Sequence, residues 1–328
     1  MISTMVNFLK KRPTSFLSKN KQFFRFLITE KWQIIYQNKT YTAPKKSTTT
    51  CAAAVCDDNY VPGLIILIES IKKHNPWFNL PFIVFGDNDK HIGPKNQELL
   101  LKIYPYFEFE NLGDQYAQVK EANEGNMRYN RFSQTFLGLN AFNLTKYQKV
   151  LYLDTDILCL GDFTPLLSDT VEADFLGIGD SQQPTEARAY FQKINDTKVP
   201  LSINSTAKVY DINTGVYVIN SGLISQEVFK QLFTLATEGV IGEKNLGGDQ
   251  DVINHFLKTH SYTLAYMPFD YNSSLRTYRN ENFSQLKEKP PVFIHYLGKK
   301  PWSEKLPIIG GKLSKIRWFW VEQAQWLW

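Results

Sequence analysis

Two aspartates, Asp154 and Asp156, lie at the end of an apolar segment in the sequence KVLYLDTDILCLGD, residues 149–162. The apolar residues predict a buried strand, and side chains two residues apart in a strand lie on the same face. A carboxylate that is buried without a partner is costly, and two neighbouring carboxylates also repel each other. A divalent cation would neutralise both, and oxygen ligands favour magnesium or manganese. The alternative is an ordinary polar turn at the end of a strand.

The elements around this pair follow a regular alternation from residue 51 onward. Short apolar runs such as CAAAVC and PFIVFG predict strands, and VPGLIILIESIKKH has the apolar spacing of a helix. FSQTFLGLNAFNL is also predicted to be helical, and TGVYVIN is predicted to be a strand, with an antiparallel direction as one option. The alternation predicts an α/β fold with a mixed, mostly parallel sheet between helices and a Rossmann-like N-terminal half. In such sheets, ligands bind beyond the carboxyl ends of the strands, where the two aspartates would lie.

Composition and charge indicate a large globular chain with basic ends. The chain has 328 residues, of which 43% are hydrophobic, enough for one large α/β domain or two smaller ones. Its net charge is +5, but residues 1–46 carry +9, residues 299–328 carry +4, and the remainder carries −8. Basic ends around an acidic body favour contact with an anionic surface through the ends, and no nucleic acid partner is predicted.

The two ends leave two interpretations open. Residues 1–47 are basic and aromatic, and residues 306–328 hold four of the seven tryptophans. Each end either packs on the body or contacts an anionic membrane surface. No apolar run approaches the roughly 20 residues that span a bilayer, and the N-terminus lacks a signal-peptide core. The three cysteines lie in apolar runs without metal-ligand spacing, which indicates buried free thiols. A cytoplasmic protein is expected, with peripheral binding to the inner face of a membrane as an option.

Several enzyme classes are disfavoured by missing motifs. No glycine-rich dinucleotide fingerprint follows the first predicted strand, and no phosphate-loop Gly-Lys-Ser/Thr occurs. The sequence also lacks a His-Glu-x-x-His motif and a nucleophile-elbow serine. A dehydrogenase, a P-loop kinase, a zinc peptidase and a serine hydrolase are therefore not expected.

Six segments together resemble the family-8 retaining glycosyltransferases, which include glycogenin and bacterial lipopolysaccharide glucosyl- and galactosyltransferases. In order, they are AVCDDNYVPGLIILIESI, KVLYLDTDILCLGD, DINTGVYVIN, GGDQDVIN, MPFDYN and HYLGKKPW. The resemblance covers about residues 50–303. It implies a nucleotide-diphospho-sugar transferase domain of the GT-A fold at residues 48–305, between an N-terminal extension (1–47) and a C-terminal tail (306–328).

The resemblance also implies a metal site and a donor. Asp154, Asp156 and His295 would bind Mn²⁺, with Mg²⁺ as the second option, beside the diphosphate of a UDP-sugar. Two carboxylates and one imidazole suit Mn²⁺, although a lone histidine after PVFI would more often be an ordinary core residue. Thr155, between the two aspartates, and Gly298 would also belong to the donor-binding site.

Other predicted donor contacts follow from the same resemblance. Lys300, beyond Gly298, would contact the phosphates, and Lys299 is the alternative because relatives usually have one more residue before this lysine. The remaining implied contacts are the base and ribose at Asp57, Asn59 and Tyr60, and the sugar at Asp180, Asn213, Thr214, Gly215, Asp249 and Gln250. Of these, Asp249 and Gln250 would lie beneath the anomeric carbon, or would be plain helix caps. Asp58 or Asn59 could likewise cap the following helix.

One departure from the family affects phosphate binding. Relatives usually carry Lys or Arg some sixteen or seventeen residues before the first aspartate, where this chain has Gly138 and Leu137. Arg131 or Arg128 could replace that cation. Without a replacement, phosphate binding would be weaker or the activity lost.

The expected reaction is transfer of glucose or galactose from a UDP-sugar to a hydroxyl of a glycan or lipid-linked saccharide, with retention at the anomeric carbon. A glycogenin-like protein that glycosylates itself is one alternative, and an inactive sugar-nucleotide or glycan-binding protein is another. A nucleotidyltransferase would need a glycine-rich basic loop after the first strand, which is absent. The sequence leaves the oligomeric state open.

Overall fold

The structure, a computed structural model, describes residues 45–302 apart from several short segments: 125–132, 181–184, 198–200, 204–209, 242–243, 246, 275–285, 287 and 299. The predictions for residues 1–44 and 303–328, and for Arg128, Arg131 and Lys299, lie outside the described residues. The proposed division into an extension, a domain and a tail therefore stays a prediction.

The described residues form short strands and helices in alternation. The strands are β1 (Thr50–Val55), β2 (Phe82–Gly86), β3 (Phe107–Asn111), β4 (Lys149–Leu153), β5 (Ile157–Cys159), β6 (Phe175–Gly179), β7 (Leu201–Ile203), β8 (Ile212–Asn220), β9 (Val240–Ile241), β10 (Lys244–Asn245), β11 (Leu264–Met267), β12 (Ser273–Ser274) and β13 (Phe293–His295). The α-helices are α1 (Val61–His74), α2 (Pro94–Ile103), α3 (Ala117–Ala122), α4 (Thr164–Leu167), α5 (Thr185–Thr197), α6 (Gln226–Glu238) and α7 (Asp249–Thr259). Two 3₁₀ helices span Ser133–Asn143 and Phe269–Asn272.

Eight strands form the central sheet in the order β3-β2-β1-β4-β8-β6-β11-β7. β1 pairs in parallel with β2 and β4, and β2 pairs in parallel with β3, as in a Rossmann-like half. β8 is antiparallel to both β4 and β6, and β11 is parallel to β6. The mixed, mostly parallel sheet predicted from the alternation is confirmed, as is the antiparallel direction of TGVYVIN.

Hydrophobic clusters cover both faces of this sheet. Ala52 and Ala54 of β1 face one cluster, which includes the apolar side of α1. Cys51 and Ala53 face the other cluster, to which the 3₁₀ helix Ser133–Asn143, α6 and α7 contribute. The alternation of small residues along β1 therefore lets helices approach the sheet closely from both sides.

The three cysteines, Cys51, Cys56 and Cys159, are buried free thiols, as predicted. In the part of the chain that is described, no helix combines the length and the apolar character needed to cross a membrane.

A smaller sheet with the order β12-β13-β5 brings distant segments to the same edge of the molecule. β13 is antiparallel to β5, with His295 opposite Ile157. β12 is parallel to β13, with Ser274 opposite His295. This sheet fixes His295 beside the residue that follows Asp156 in the chain.

The start of α1 differs from the expectation. The N-cap position is Tyr60, and no side chain caps the helix, so the prediction that Asp58 or Asn59 does so is wrong. Asp58 instead accepts hydrogen bonds from the backbone N–H of Gly93 and from Asn96, at 2.9 and 2.8 Å, at the beginning of α2. Pro62 in the first turn of α1 needs no side-chain cap, because it lacks the N–H that a cap would satisfy.

Candidate active site

The aspartate pair lies in a turn between two strands. β4 ends at Leu153 and β5 begins at Ile157, so the two aspartates do not share one strand as expected. The backbone N–H of Asp154 donates to the carbonyl of Gly215 in β8 at 2.8 Å, and the carbonyl of Asp156 accepts from Tyr296 at 2.9 Å. The main sheet therefore fixes one end of the turn and the small sheet fixes the other.

His295 completes a cluster with the two carboxylates. Its Nε2 lies 3.4 Å from Oδ2 of Asp154 and 3.1 Å from Oδ1 of Asp156. One ligand atom from each of the three residues lies within 4.8 Å of the others. A Cβ at Gly215 would lie 2.3 Å from Cε1 of His295, so the glycine allows the imidazole to lie against β8. A divalent cation that accepts both oxygen and imidazole ligands fits this donor set.

The charges of the cluster are strongly coupled. Burial raises the pKa of Asp154 to about 6. Burial would also raise the pKa of Asp156, but the charges of Lys300 and His295 hold it well below its ordinary value. For His295, burial alone would lower the pKa, but the two carboxylates raise it overall. A proton and a cation would therefore compete for this cluster.

Lys300 places a positive charge beside the cluster. Its Nζ donates to Asp156 and, at 3.3 Å, to the carbonyl of Tyr296, and it lies 5.8 Å from the ring centroid of Tyr60. The preceding Gly298 has a φ of +86°, a left-handed conformation that favours glycine. Lys300 thus lies beside the cluster of Asp154, Asp156 and His295, and its contact with the donor phosphates stays a prediction.

The cluster opens into a cavity of about 480 Å³ beyond the carboxyl ends of β1 and β4. Nine residues predicted to bind the donor line it: Asp57, Asn59, Tyr60, Asp154, Thr155, Asp156, His295, Gly298 and Lys300. Lys90, Gln134, Thr135 and Tyr152 also line it and were not predicted. Tyr152 could have been found, because it precedes Asp154 by two residues and therefore lies on the same side of the strand.

The loop after β1 is held by its own aspartate and by Trp302. The carboxylate of Asp57 accepts from the backbone N–H groups of Asn59 and Tyr60 at 2.7 and 3.2 Å. The indole of Trp302 donates to the carbonyl of Asn59 at 3.1 Å, and its ring meets that of Tyr60 edge-on. Trp302 is part of the motif HYLGKKPW, but nothing in that motif predicts this role.

Several predicted sugar-binding residues are joined to one another by hydrogen bonds. Gln250 donates through Nε2 to the carboxylate of Asp180 at 2.9 Å. Its Oε1 accepts from the side chain of Asn213 at 3.3 Å and from the backbone N–H of Thr214 at 3.4 Å. The sequence missed Asn272, which donates to Asn213 at 2.7 Å. The structure therefore brings four predicted sugar contacts together near the cluster of Asp154, Asp156 and His295: Asp180, Asn213, Thr214 and Gln250.

Asp249 begins α7 without serving as its cap. The N-cap is Gly248, which has no side chain to cap the helix, and the backbone N–H of Asp249 donates to the hydroxyl oxygen of Thr135 at 3.2 Å. The side chain of Asp249 is 5% exposed, and burial, followed by the nearby charge of Asp154, raises its pKa to about 7. Hydrogen bonds from the hydroxyls of Thr135 and Thr214 oppose that rise. The plain helix-cap alternative for Asp249 and Gln250 is not supported.

The 3₁₀ helix Ser133–Asn143 contributes different residues from those expected. Leu137 is 1% exposed in the core, and a Cβ at Gly138 would lie 2.9 Å from the hydroxyl of Tyr152. Gln134 and Thr135 are the residues of this helix that line the cavity. A side chain at position 138 would collide with Tyr152, so this position cannot hold the family's cation without a shift of that ring. The predicted replacements, Arg128 and Arg131, lie outside the described residues.

Comparison with known proteins identifies the family of this chain. The profile described as Glycosyl transferase family 8 matches residues 51–305. The lipopolysaccharide glucosyltransferase WaaO of Escherichia coli K12 is 29% identical over 261 residues, 76% of this chain and 71% of its own length. Human glycogenin-1 is 24% identical over 257 residues, 75% of this chain and 60% of its own length.

The fold agrees as well. The galactosyltransferase LgtC, solved with donor and acceptor sugar analogues, superposes with a TM-score of 0.56 at 20% identity, covering 84% of this chain and 95% of LgtC. That likeness confirms the predicted GT-A fold, and the family match confirms the predicted enzyme class, a hexosyltransferase. The chain belongs to glycosyl transferase family 8.

Proposed function

We propose that this glycosyltransferase moves glucose or galactose from a UDP-sugar to a hydroxyl of a glycan or lipid-linked saccharide, with retention at the anomeric carbon. The observation that carries the proposal is the cluster of Asp154, Asp156 and His295 at the wall of a 480 Å³ cavity. Cavities of this size hold small-molecule ligands. The names of the relatives support the choice of sugar, since they include lipopolysaccharide glucosyl- and galactosyltransferases.

Asp154, Asp156 and His295 would hold Mn²⁺, or Mg²⁺ in its place, because their donor atoms suit an ion that accepts both oxygen and nitrogen. When bound there, the ion supplies Lewis-acid stabilisation to a diphosphate leaving group. Lys300 would add positive charge on the same side. Lys300 can reach a phosphate only if its ion pair with Asp156 loosens. A cation bound to the carboxylate of Asp156 would weaken that ion pair.

Tyr60 and the loop of Asp57 and Asn59 would bind the nucleoside. Tyr60 offers a ring face, and the loop offers backbone groups whose positions the carboxylate of Asp57 already fixes. Asn213, Thr214, Gly215 and Asp180 would orient the sugar. These roles rest on the family motifs and on the position of each residue around the cavity.

Asp249 and Gln250 would act on the face of the sugar opposite the leaving group. As an ionised carboxylate, Asp249 is a competent nucleophile for double displacement. The carbonyl of Gln250 could instead stabilise an oxocarbenium ion during a same-face attack guided by the leaving diphosphate. We favour the same-face route, because Gln250 is held in place by three hydrogen bonds, to Asn213, Thr214 and Asp180.

A panel of UDP-sugars tests the proposal directly. In the absence of an acceptor, the enzyme is expected to hydrolyse UDP-glucose or UDP-galactose. This hydrolysis should require Mn²⁺ and should stop when a chelator is added. Proton NMR of the first-formed transfer product from the α-linked donor should show an α linkage. No turnover of any UDP-sugar with Mn²⁺ or Mg²⁺ would leave the inactive binding protein as the better description, and a β-linked product would rule out retention.

A glycogenin-like self-glycosylating protein remains the second proposal, because glycogenin-1 is among the relatives. Mass spectrometry of the intact protein after incubation with UDP-glucose distinguishes the two. Added hexose on a tyrosine of this chain supports self-glycosylation, and an unchanged mass supports a separate acceptor.

The proposed location is the cytoplasm, with peripheral contact between the basic ends and the inner face of a membrane. The charge of +9 on residues 1–46 supports electrostatic binding to anionic lipid. A chain without residues 1–47 and 306–328 should keep donor hydrolysis and lose sedimentation with anionic vesicles. Undiminished sedimentation of the shortened chain would exclude this role for the ends.

A further inference from the structure

Five side chains form a continuous series of hydrogen bonds from the metal cluster to the sugar side of the site. Nδ1 of His295 lies 3.0 Å from Oδ1 of Asn272, and Nδ2 of Asn272 donates to Oδ1 of Asn213 at 2.7 Å. Nδ2 of Asn213 donates to Oε1 of Gln250 at 3.3 Å, and Nε2 of Gln250 donates to Asp180 at 2.9 Å. Asn272 is the member of this series that the sequence did not predict.

The series has a single direction. A carboxylate accepts hydrogen bonds, and the amide of Gln250 presents its nitrogen to that of Asp180. Each amide has one donor end and one acceptor end, and the orientation of Gln250 therefore sets that of Asn213, and then that of Asn272. The oxygen of Asn272 is left facing His295.

Backbone groups fix the same direction independently. The N–H of Thr214 donates to Oε1 of Gln250 at 3.4 Å, and the N–H of Gly215 donates to Oδ1 of Asn213 at 3.1 Å. A backbone N–H can only donate, so neither amide can reverse without losing these bonds. The orientation of the series is thus set at two places along its length as well as at its end.

The last bond decides where the imidazole carries its proton. Because Asn272 presents an oxygen, Nδ1 of His295 must carry a hydrogen. Nε2, which faces Asp154 and Asp156, is then the nitrogen whose lone pair is available to a cation. Imidazole ligands of metals are generally oriented by a hydrogen bond to the other ring nitrogen.

We infer that Asn272 is a positioning residue that holds His295 with its proton on Nδ1 and directs Nε2 to the metal site, an inference that rests on the proposed metal-dependent function. Asn272 is 7% exposed, and it ends the 3₁₀ helix Phe269–Asn272 directly before β12. Because Ser274 of β12 lies opposite His295 of β13, backbone pairing keeps the amide in reach of the ring. Through its hydrogen bond to Asn213, and from there to Gln250, Asn272 also links the orientation of His295 to the sugar side.

Two substitutions separate this role from a merely structural one. Asn272→Leu removes the acceptor while keeping the branching at Cγ, whereas Asn272→Asp keeps an oxygen facing Nδ1. In full-length protein labelled with ¹⁵N-histidine, the metal-free wild type should show a slowly exchanging Hδ1 proton on His295. The chain has five histidines, and His295→Gln assigns the signal by its loss. The protected proton should persist in Asn272→Asp and disappear in Asn272→Leu.

Mn²⁺ binding, followed by the electron paramagnetic resonance signal of the free ion, gives the second readout. Asn272→Leu should weaken binding roughly 10–100-fold, the range expected for loss of an outer-shell partner, and Asn272→Asp should stay close to wild type. Asn220→Ala is the matched control, because Asn220 lies at the far end of β8 and its amide donates to the carbonyl of Ala173. It should leave both readouts unchanged.

The outcomes distinguish the inference from the proposed function. A protected Hδ1 proton in folded Asn272→Leu, or Mn²⁺ affinity equal to wild type in that variant, overturns the positioning role. If the wild type itself binds neither Mn²⁺ nor Mg²⁺, the proposed metal dependence fails, while the proton signal still tests the orientation of His295.

Discussion

The two sides of the site use different chemistry to hold their residues in place. On the metal side, Asp154, Asp156, His295 and Lys300 are charged or chargeable groups in close contact. On the sugar side, neutral amides are oriented by hydrogen bonds that end on the carboxylate of Asp180. Attraction between charges varies slowly with direction, whereas an amide must present the correct end to each partner. The metal side therefore depends mainly on the distances between its charges, and the sugar side depends on the orientation of each amide.

The largest expected effect comes from the metal side. Asp156→Asn should reduce metal-dependent transfer by about 10³-fold or more, because it removes a ligand charge and the partner of Lys300. The fold should survive, since the backbone of Asp156 keeps its bond to Tyr296. Turnover of the UDP-sugar and a thermal melt are the measurements. Asp162→Asn, six residues after Asp156 on the exposed surface, is the matched control.

Full activity in Asp156→Asn, or activity that is indifferent to chelators, would contradict the metal assignment. It would also remove the contrast between the two sides, because the charged cluster would then be only a structural ion pair.

How far the sequence could predict each side follows from the same contrast. Asp154, Asp156 and His295 were predicted from residue type, spacing and family resemblance, since a charged cluster needs little more than proximity. Asn272 was not, because its role depends on which end of its amide faces His295. Local spacing could not place Trp302 against Asn59 either, because that contact joins residues 243 apart in the chain.

The fold was predicted more completely than the site. Alternating short apolar runs and helical segments led to the mixed sheet, because each pattern is a local property of consecutive residues. The register of the small sheet, with His295 opposite Ile157, depends on pairing between distant strands and had to be observed. Gly138 shows the same limit, since only the contact with Tyr152 explains why that position carries no side chain.

The next largest effect is expected on the sugar side. Asp249→Asn should lower turnover about 10–10²-fold if the leaving diphosphate guides a same-face attack, because only electrostatic support is lost. Double displacement through Asp249 predicts a loss of about 10³-fold or more, since the nucleophile itself is removed. The measurement is kcat with saturating UDP-sugar and Mn²⁺. If Asp249→Asn keeps the wild-type affinity for Mn²⁺, its loss of turnover does not arise from the metal side.

The same variant makes a prediction about stability and pH. Burial raises the pKa of Asp249 to about 7 in the fold, above the value of 3.8 for an unperturbed carboxyl. The ionised form is thus disfavoured in the fold, and wild-type stability is lost as pH rises from about 4 to about 7. Without metal, Asp249→Asn should therefore be more stable than wild type at pH 8, by on the order of 2–4 kcal/mol, and nearly equal to it at pH 3. Equal melting temperatures at pH 8 would contradict the raised pKa.

Gly215 lies where the two sides meet, and its substitution should have an intermediate effect. In Gly215→Ala, the new methyl group would overlap the ring of His295, so the imidazole must turn away from the carboxylates. Mn²⁺ affinity should fall about 10-fold, as expected when a ligand loses its orientation. Titration of the free ion measures this. Gly161→Ala is the matched control, because its nearest neighbouring atom would lie at an ordinary contact distance of 3.4 Å. Equal affinity in both variants would mean that His295 does not need its observed position.

The smallest expected effect compares two stacked tyrosines, Tyr152 and Tyr217, whose ring centroids are 4.7 Å apart. The hydroxyl of Tyr152 hydrogen-bonds Asp154 and so lowers the pKa of that carboxyl, whereas the hydroxyl of Tyr217 has no partner among the described residues. Tyr152→Phe should weaken Mn²⁺ binding about 2–5-fold and shift its pH dependence upward, because a proton then competes more strongly for Asp154. Tyr217→Phe removes an equivalent hydroxyl from the same stack and should leave binding unchanged. An equal loss of Mn²⁺ affinity in both variants would mean that packing of the two rings causes the effect. The metal side would then depend on close packing as well as on charge.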